Sequence, residues 1–298
     1  MNQLQMHETK THGDLTFPFA VYGGNLPEYI HSYPLHWHEE FEIIYIAAGQ
    51  GCVTLLSEQH LCHAGDILLV APGDLHAIYQ YHDFHMEYFT ILFRFSLLEE
   101  NPDSVCEQLF LQPIAEHTVD FPRHLSGTHP LNALLLPYIK DLTRHQRSPF
   151  PEYRLMIKSD LYAVLYHISH SATAAGPDGA LREKNVRNMK SILSYLMRCY
   201  ASPISVREAA EIAGYSESYF MKCFREVTGR SFTQYLNLYR LEIAAEKLLN
   251  TDASVLEIAQ DCGYNNFSYF IRSFSARFGR SPSRYRRDGR DTDIGSNR

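Results

Sequence analysis

Alternation of apolar and polar positions is the first pattern that the chain shows. It begins near Phe17, is interrupted by glycine-containing turns, and ends in the apolar run 89–95, which predicts a series of β-strands. Residues 131–142 and 155–168 then show helical spacing, and Pro137 is expected to kink the first of these helices or to mark its boundary. The pattern therefore predicts a sheet-rich region followed by helices.

An internal repeat lies in the C-terminal part of the chain. Residues 205–215 resemble residues 254–264 at an offset of 49, which becomes 50 after a shared Gly-Tyr pair, so the second copy has one extra residue in its turn. Each copy has a serine with a glutamate three positions later, the spacing of a capping box, namely Ser205 with Glu208 and Ser254 with Glu257. Gly214 and Gly263 stand where a first helix must end in a left-handed turn. Each copy therefore predicts a short helix, a tight glycine-containing turn and a second helix, which is the helix-turn-helix signature of DNA-binding proteins.

The second helix of each copy has an aromatic face and a polar face. The aromatic face is expected in the core, and it comprises Phe220, Phe224 and Val227 in one copy and Phe270, Phe274 and Phe278 in the other. The opposite face is expected to read DNA, and it carries Ser218, Met221, Lys222 and Arg225, and in the second copy Asn266, Phe267, Ser268, Ile271 and Arg272. For any one of these residues, the alternative is a solvated helix face.

Several of these side chains suit base edges or phosphates. Lys222 and Arg272 are equivalent at the offset of 50, and a cation there can donate to guanine O6 and N7. Asn266 can pair with adenine, and Phe267 can pack on a thymine methyl group. Residues beyond the second helices are expected on phosphates, which position a protein without specifying sequence; they are Arg230, Arg280, Ser281, Arg284, Arg286 and Arg287.

A single helix is predicted over residues 232–250, between the two copies. Its residues span about 27–29 Å, and one turn of B-DNA is about 34 Å. Such a helix can hold the two reading helices in successive major grooves on one face of DNA. A plain core helix gives the same apolar pattern and is compatible with this role.

Charge divides the chain into two parts of opposite sign. Residues 1–179 carry 8 Lys and Arg against 21 Asp and Glu, a net charge of −13, and all 16 histidines. Residues 180–298 carry 19 against 13, a net charge of +6, so the overall −7 is the sum of a strongly acidic part and a basic part that is suited to a polyanion. The small, turn-forming residues 171–180 lie between them and predict a flexible linker.

The composition also bears on where the chain works. No run reaches the roughly 18 apolar residues of a membrane span, and the first residues have neither a basic leader nor an apolar segment. We therefore expect a cytoplasmic protein with no membrane partner. The six cysteines form no CxxC pair and are expected to be free thiols, with Cys52 and Cys62 packing in the interior rather than binding metal.

The C-terminal repeat resembles the DNA-binding domain of the AraC/XylS family of bacterial transcription regulators over residues 185–287. The residues that carry the resemblance are Ala209-Ala210, Gly214-Tyr215-Ser216, Phe220, Phe224, Thr228-Gly229, Tyr239-Arg240, Ala244, Leu248-Leu249, Ile258-Ala259, Gly263-Tyr264, Phe270, Phe274, Phe278-Gly279, Ser281-Pro282-Ser283 and Tyr285-Arg286. The resemblance implies seven helices, two of which enter adjacent major grooves of double-stranded DNA.

The acidic part contains a second motif, of alternating polar residues. His36, His38, Glu40 and Glu42 share one strand face by the period of two, Gly49 follows six residues later, and residues 65–76 read Gly-Asp-Ile-Leu-Leu-Val-Ala-Pro-Gly-Asp-Leu-His. The two stretches resemble the HxHx(3)Ex(6)G and Gx(5)PxGxxH motifs of the cupin β-barrel. The sequence departs from them at Ala71, at Gln80 and in lacking the glycine before the first histidine.

Three histidines and a glutamate in one barrel allow two kinds of ligand site. His36, His38, Glu42 and His76 can bind divalent Fe, Mn, Ni or Zn. They can instead line a polar pocket without metal, with Tyr88 and Thr90 as further lining residues, since the resemblance implies a sugar or similar small effector and no required cofactor. A purely structural role is the third alternative.

Together these features predict a multidomain α+β protein with an N-terminal cupin β-barrel and a C-terminal all-α tandem helix-turn-helix domain. The expected segments are a sensor barrel at 1–96, a helical dimerisation segment at 97–170, a linker at 171–184, the DNA-binding domain at 185–287 and a tail at 288–298. We expect a ligand-responsive, homodimeric transcription regulator rather than an enzyme, with a carbohydrate as effector. The alternative is a metal-dependent cupin enzyme or metal sensor fused to a DNA-binding module.

Overall fold

The chain folds into two units, which we describe separately. The computed structural model describes residues 8, 12–28, 32–56, 58–98, 104–145 and 150–295. The first unit ends at Val186, and the second begins at Arg187. Within the described ranges, no helix combines the length and the apolar character needed to cross a membrane.

Two antiparallel sheets that share one long strand form the first part of the first unit. The strands are β1 Phe19–Leu26, β2 Ser32–His36, β3 Phe41–Leu55, β4 Glu58–His63, β5 Ile67–Val70, β6 His76–Gln80, β7 Met86–Phe93, β8 Val119–Asp120, β9 His124–Leu125 and β10 Thr173–Ala174. One sheet has the order β1-β7-β3-β5-β9, while the C-terminal half of β3 pairs with β4 and β6, and β6 pairs with β2. The predicted sheet-rich N-terminal domain is confirmed.

Helices cover one face of the first sheet. A 3₁₀ turn at Phe95–Leu97 leads to a π-helix at Glu107–Leu111, and the following helices are α1 Gln112–Ala115, α2 Pro130–His145 and α3 Tyr153–Ser171. The buried sheet residues Phe41, Ile43 and Phe93 share one apolar core with the α2 and α3 residues Leu135 and Leu161. Burial of these side chains is the main force that holds the helices on the sheet.

The helical spacing of residues 131–142 and 155–168 predicted α2 and α3 correctly. Pro137 lies inside α2, so the helix continues through it and the expected boundary at this residue was wrong. A proline removes one backbone donor, and Pro137 is exposed, so the carbonyl left without that donor has access to water. Leu134 and Leu155 share the helical spacing, yet they are exposed on the outer surface of the helices.

The segment predicted as a flexible linker differs from that expectation. Ser171 is the last residue of α3, and β10 then pairs with β8. Helix α4 begins at Pro177 and continues to Cys199, through the rest of the expected linker and into the second unit. Proline at the first position of a helix has a φ already suited to that helix. Pro177 therefore favours the start of α4, although the small residues around it had predicted a linker.

Seven helices, α4 to α10, make up the chain from Pro177 onwards in the described residues. After α4 they are α5 Val206–Ala213, α6 Glu217–Thr228, α7 Phe232–Asn250, α8 Val255–Asp261, α9 Phe267–Phe278 and α10 Pro282–Gly295. The pairs α5–α6 and α8–α9 are the two predicted helix-turn-helix copies, and α7 is the predicted helix between them. The aromatic faces of α6 and α9 are buried as predicted, with Phe220, Phe224, Phe270 and Phe274 inaccessible to solvent.

Capping and left-handed glycines set the ends of the short helices. The Ser205 and Ser254 hydroxyls accept hydrogen bonds from the backbone N–H groups three residues later, as predicted. Of these two serines, Ser254 forms a complete capping box and Ser205 does not, because the Glu208 carboxylate instead accepts a hydrogen bond from the Tyr195 hydroxyl. Gly214 and Gly263 have φ values of 67° and 80°, which confirms the left-handed turns.

Candidate ligand site and DNA-reading helices

Four predicted ligand residues meet in the interior of the first unit. His36 ends β2, His38 lies in the loop that follows, Glu42 is the second residue of β3, and His76 begins β6. All four side chains are buried, and one ligand atom from each lies within 4.8 Å of the others. The cluster therefore draws donors from both sheets into one site.

Backbone carbonyls fix two of the imidazole rings. His38 Nδ1 lies 3.1 Å from the Glu40 carbonyl oxygen, and His76 Nδ1 lies 2.9 Å from that of Asp74. A carbonyl oxygen only accepts hydrogen bonds, so both Nδ1 atoms carry the proton. Each Nε2 then points at one oxygen of the Glu42 carboxylate, at 3.1 Å from His38 and 2.8 Å from His76. Metal-binding histidines are oriented in this way by a carbonyl partner.

The charges of the cluster depend on one another. Burial alone would raise the pKa of Glu42, but the neighbouring His76 and His38 lower it well below its usual range. Burial alone would lower the pKa of His76, but the charge of Glu42 raises it. Despite the short distance, the contact with Glu42 falls outside hydrogen-bond geometry, and no described residue forms a hydrogen bond with His76 Nε2. A buried nitrogen of this kind is available to a ligand.

Tyr88 and Thr90 lie on one face of β7 and are buried. Burial raises the pKa of the Tyr88 hydroxyl to about 12, and the negative charge of Glu42 adds to the shift. Tyr88 shares a face of β7 with Leu92, which pairs with Glu42 of β3, so Tyr88 lies on the sheet face that carries Glu42.

Glu40 was expected on the same face as the two histidines, but its buried carboxylate lies 3.6 Å from His38 Nδ1, on the outer side of that ring, and is not one of the four converging ligand groups. Its carboxylate accepts a hydrogen bond from Arg94 Nε at 2.8 Å. The reason is that residues 37–40 lie in a loop between β2 and β3, where the period of two does not apply.

Sequence reasoning missed Glu8, Tyr33 and His12, which lie beside the cluster. The Glu8 carboxylate is 3.8 Å from His36 Nε2 and 3.4 Å from His12 Nε2, and it accepts a hydrogen bond from the Tyr33 hydroxyl at 3.2 Å. Burial alone would raise the pKa of Glu8, but the hydrogen bond and charge of His12 lower it. Glu8 is 28 residues before His36 and belongs to no motif, so no sequence signal connects it to the site.

Asp74 connects the cluster to the chain segment after α1. Its carbonyl accepts from His76, while its buried carboxylate lies 2.8 Å from Arg123 Nη1 and accepts a hydrogen bond from the Ala71 N–H at 2.9 Å. The Arg123 guanidinium stacks on the Phe121 ring at 3.9 Å. Asp74 therefore contacts the ligand cluster through its backbone carbonyl and pairs through its carboxylate with Arg123, which lies between β8 and β9.

The predicted DNA-reading residues lie on exposed faces of α6 and α9. On α6 the exposed residues are Ser218, Met221, Lys222 and Arg225, and on α9 they are Phe267, Ser268 and Arg272, with Ile271 half-buried. Lys222 makes only a long contact with Glu226, at 3.9 Å. Exposed faces opposite a buried aromatic face are what insertion into a major groove requires.

Two residues of the predicted DNA surface have structural contacts. Asn266 is the N-cap of α9, and its side-chain oxygen accepts from the Tyr269 N–H at 2.9 Å, so it does not have both amide groups available for adenine. Arg286 donates to the carbonyl oxygens of Leu248 at 3.1 Å and Ala253 at 2.6 Å, so the expectation that it contacts phosphate was wrong. The Leu248 carbonyl lies in the last turn of α7, where a helix leaves its carbonyls unpaired, and Ala253 lies in the loop before α8.

Arg280, Ser281 and Arg284 are exposed around the start of α10. Arg280 Nη1 lies 3.0 Å from the Asp288 carboxylate, and Arg284 Nε lies 3.6 Å from it. Such exposed ion pairs contribute little to stability, so both arginines can exchange Asp288 for another anion.

Comparison with known proteins agrees with this division of the chain. Residues 19–163 match the AraC-like ligand binding domain, and residues 209–288 match a helix-turn-helix domain. The uncharacterized HTH-type transcriptional regulator YdeC of Bacillus subtilis is 23% identical over 287 residues, which cover 95% of this chain and 96% of that protein. The regulatory protein SoxS of Salmonella typhimurium is 32% identical over 98 residues, 33% of this chain and 92% of SoxS.

Other matches are partial. The solved C-terminal domain of AraT, a response regulator from Geobacillus stearothermophilus, is 30% identical, with a TM-score of 0.33 over 34% of this chain and 84% of that domain. The chain spans 29% of the length of a Staphylococcus aureus HTH-type regulator that it also matches.

A ligand-binding domain joined to two helix-turn-helix units defines a transcription regulator that binds double-stranded DNA. The chain belongs to the AraC family of helix-turn-helix transcription regulators.

Proposed function

We propose that a ligand bound by His36, His38, Glu42 and His76 controls DNA binding by α6 and α9. The observation that carries this proposal is the convergence of four buried donor atoms within 4.8 Å, inside the AraC-like ligand binding domain. Burying polar groups is costly unless they are paired or bound, so a site of this composition suits a ligand. The regulator then couples two sites through a difference in free energy.

A divalent metal ion is the ligand that fits these four donors best. Three imidazoles and one carboxylate are donors that Zn²⁺, Fe²⁺, Mn²⁺ and Ni²⁺ accept. The carbonyl contacts hold the proton on Nδ1 of His38 and His76, which leaves each Nε2 facing the inside of the cluster. The ion would supply positive charge beside Glu42 and would connect β2, β3 and β6.

A carbohydrate is the second candidate, as is expected of a family with small effectors. The Tyr33 ring is 4.6 Å from that of His36, and Tyr88 and Thr90 line the same interior. Hydroxyl groups that both donate and accept suit the hydroxyls of a sugar. A sugar can bind through these residues and the histidines without any metal.

Thermal unfolding of the full chain separates the two candidates, because a ligand of the native state raises the melting temperature. We expect Mn²⁺, Ni²⁺ or Zn²⁺ to raise it, and His38→Ala to reduce the rise. His85→Ala is the matched control, since His85 is an exposed histidine of the same unit. A rise with sugars alone would favour the second candidate, and no rise with either class would contradict the proposed site.

We further propose that Ser218, Met221, Lys222, Arg225, Phe267, Ser268 and Arg272 contact bases, with Asn266 limited to its amide N–H donors. Arg280, Ser281 and Arg284 are proposed as phosphate contacts. The exposure of these residues supports the assignment. The two helices are equivalent parts of one repeat, so they are expected to enter their grooves in the same way.

The regulator is proposed to be a homodimer through its helical segment. Leu155, Met156 and Tyr166 leave apolar surface exposed along α3, which is typical of an interaction site. Sedimentation should give a dimer for the natural chain and a monomer for the double variant Leu155→Glu, Tyr166→Glu. Gln59→Glu, an exposed change on β4, should leave the dimer intact, and a monomeric natural chain would contradict the proposal.

A further inference from the structure

A second group of metal-binding side chains surrounds the turn between β4 and β5. Cys62 of β4, Asp66 of the turn and His124 of β9 each offer one ligand atom, and these atoms lie within 4.8 Å of one another. Cys62 and Asp66 are buried, whereas the His124 side chain is 22% exposed, so the group can be reached from solvent. We infer that Cys62, Asp66 and His124 form a binding site for a zinc-like divalent cation.

The mixture of donors determines which cation is expected. Mg²⁺ and Ca²⁺ prefer oxygen ligands alone, whereas a thiolate, an imidazole and a carboxylate together suit Zn²⁺ and similar transition metals. Three protein ligands leave a fourth position for water or a further side chain. His60 is a nearby side chain: its ring lies 5.0 Å from that of His124, and it stands two positions before Cys62, on the same face of β4.

Backbone contacts hold the Asp66 carboxylate in place without using all its capacity. Its oxygens accept hydrogen bonds from the N–H groups of His63 at 3.0 Å and Gly127 at 2.9 Å, and from His124 Nε2 at 3.0 Å. A carboxylate has about four acceptor positions, so a cation can replace the imidazole contact while both backbone bonds remain. On binding, Cys62 exchanges its thiol proton for the cation, and the proton passes to solvent.

An ion at this position would connect β4 and the turn after it to β9, the edge strand that pairs with β5. The Asn132 amide near the start of α2 already donates to the carbonyl oxygens of Gly65 at 2.9 Å and Leu125 at 3.0 Å. The cation would add a bond between the same turn and β9. The inference is independent of the ligand proposed for the interior cluster, with which it shares no residue.

Cobalt titration of the full chain tests the second site. A thiolate bound to Co²⁺ gives an intense near-ultraviolet charge-transfer band, which the interior cluster cannot give because it contains no cysteine. We expect a band that disappears in Cys62→Ser and persists in His38→Ala, where the interior site is weakened and the band should saturate near one equivalent. Cys52→Ser is the matched control, since Cys52 is half-buried on the adjacent strand and should leave the band unchanged.

Two results would overturn the inference: no thiolate band in the natural chain, or a band that survives Cys62→Ser. If the serine variant loses its circular dichroism signal, His124→Gln keeps the thiol and should weaken Co²⁺ binding at least about 10-fold; unchanged affinity would also overturn it. Loss of the interior site alone would leave the cobalt band intact, so failure of the two sites can be distinguished.

Discussion

At the scale of the residue, the presence of an arginine near the DNA-binding helices does not by itself show that its guanidinium is available to contact DNA. Arg286 and Arg287 are neighbours in α10, yet the first is half-buried and donates to two carbonyls while the second is exposed. Arg240 plays a similar part in α7, where it donates to the Tyr200 and Ser202 carbonyls. Arg240 therefore holds the loop before the first helix-turn-helix copy, and Arg286 holds the loop before the second.

Replacing Arg286 by alanine should lower the free energy of unfolding by about 2 kcal/mol, because two charged hydrogen bonds to backbone carbonyls are lost. Arg287→Ala is the control, and as a surface change it should stay within about 0.5 kcal/mol. Urea denaturation measures both. Equal effects of the two substitutions would contradict the structural role of Arg286.

Replacing Lys222 or Arg272 by alanine should weaken binding to the operator by about 1–3 kcal/mol more than binding to random DNA, provided each makes a bidentate contact with guanine. Arg277→Ala removes a charge from the same helix as Arg272, but Arg277 is paired with Glu242 of α7 at 2.8 Å and should affect both DNAs equally. Titrations of the two DNAs at one salt concentration measure the difference. If Lys222→Ala and Arg272→Ala each weakened binding to the operator and to random DNA equally, the assignment of these residues to base contacts would be contradicted.

The candidate site was predictable only where a motif fixed its residues. His36, His38, Glu42 and His76 fall at motif spacings, and the structure brings them together. Glu8 and Tyr33 reach the same site through the tertiary fold, which no local pattern encodes. Asn266 has a second role that its position also indicates, because an asparagine just before a helix is a strong N-cap, and its side-chain oxygen is used in that way.

At the scale of the element, the fold of the C-terminal part was largely predictable because its signals are local. The helix predicted over 232–250 coincides with α7, and the extra residue of the second copy lies between α8 and α9. By contrast, the short strand β10 depends on pairing with β8, more than 50 residues earlier. Long-range pairing of two residues leaves no periodic pattern, so the linker prediction missed it.

The two turn glycines should tolerate alanine differently, although both are left-handed. A Cβ at Gly214 would meet nothing within 4 Å, so Gly214→Ala should cost about 1 kcal/mol, mainly from backbone strain. A Cβ at Gly263 would lie 2.6 Å from the Ala201 carbonyl oxygen, which adds about 1–3 kcal/mol of overpacking. Thermal unfolding of the two variants measures these losses of stability, and a loss for Gly214→Ala equal to or larger than that for Gly263→Ala would contradict the prediction.

At the scale of the whole molecule, the ligand cluster is tied to the segment that follows the sheets. Arg94, which binds Glu40, directly precedes the turn at Phe95–Leu97, and Arg123, which pairs with Asp74, lies between β8 and β9. Both carboxylates belong to residues whose carbonyls orient cluster histidines. A ligand that moves either ring therefore acts on the segment leading to the helices.

Linkage requires this coupling to act equally in both directions: if the metal changes DNA affinity by a factor, DNA must change metal affinity by the same factor. We expect a factor of about 5 or more, measured with Mn²⁺ in the Cys62→Ser background so that the interior cluster alone responds. Adding His38→Ala should bring the factor to one, whereas adding His85→Ala should preserve it, because His85 is exposed and outside the cluster. Tight Mn²⁺ binding with a factor of one would show that the cluster holds a metal for stability alone, and that the signal to DNA starts from another ligand.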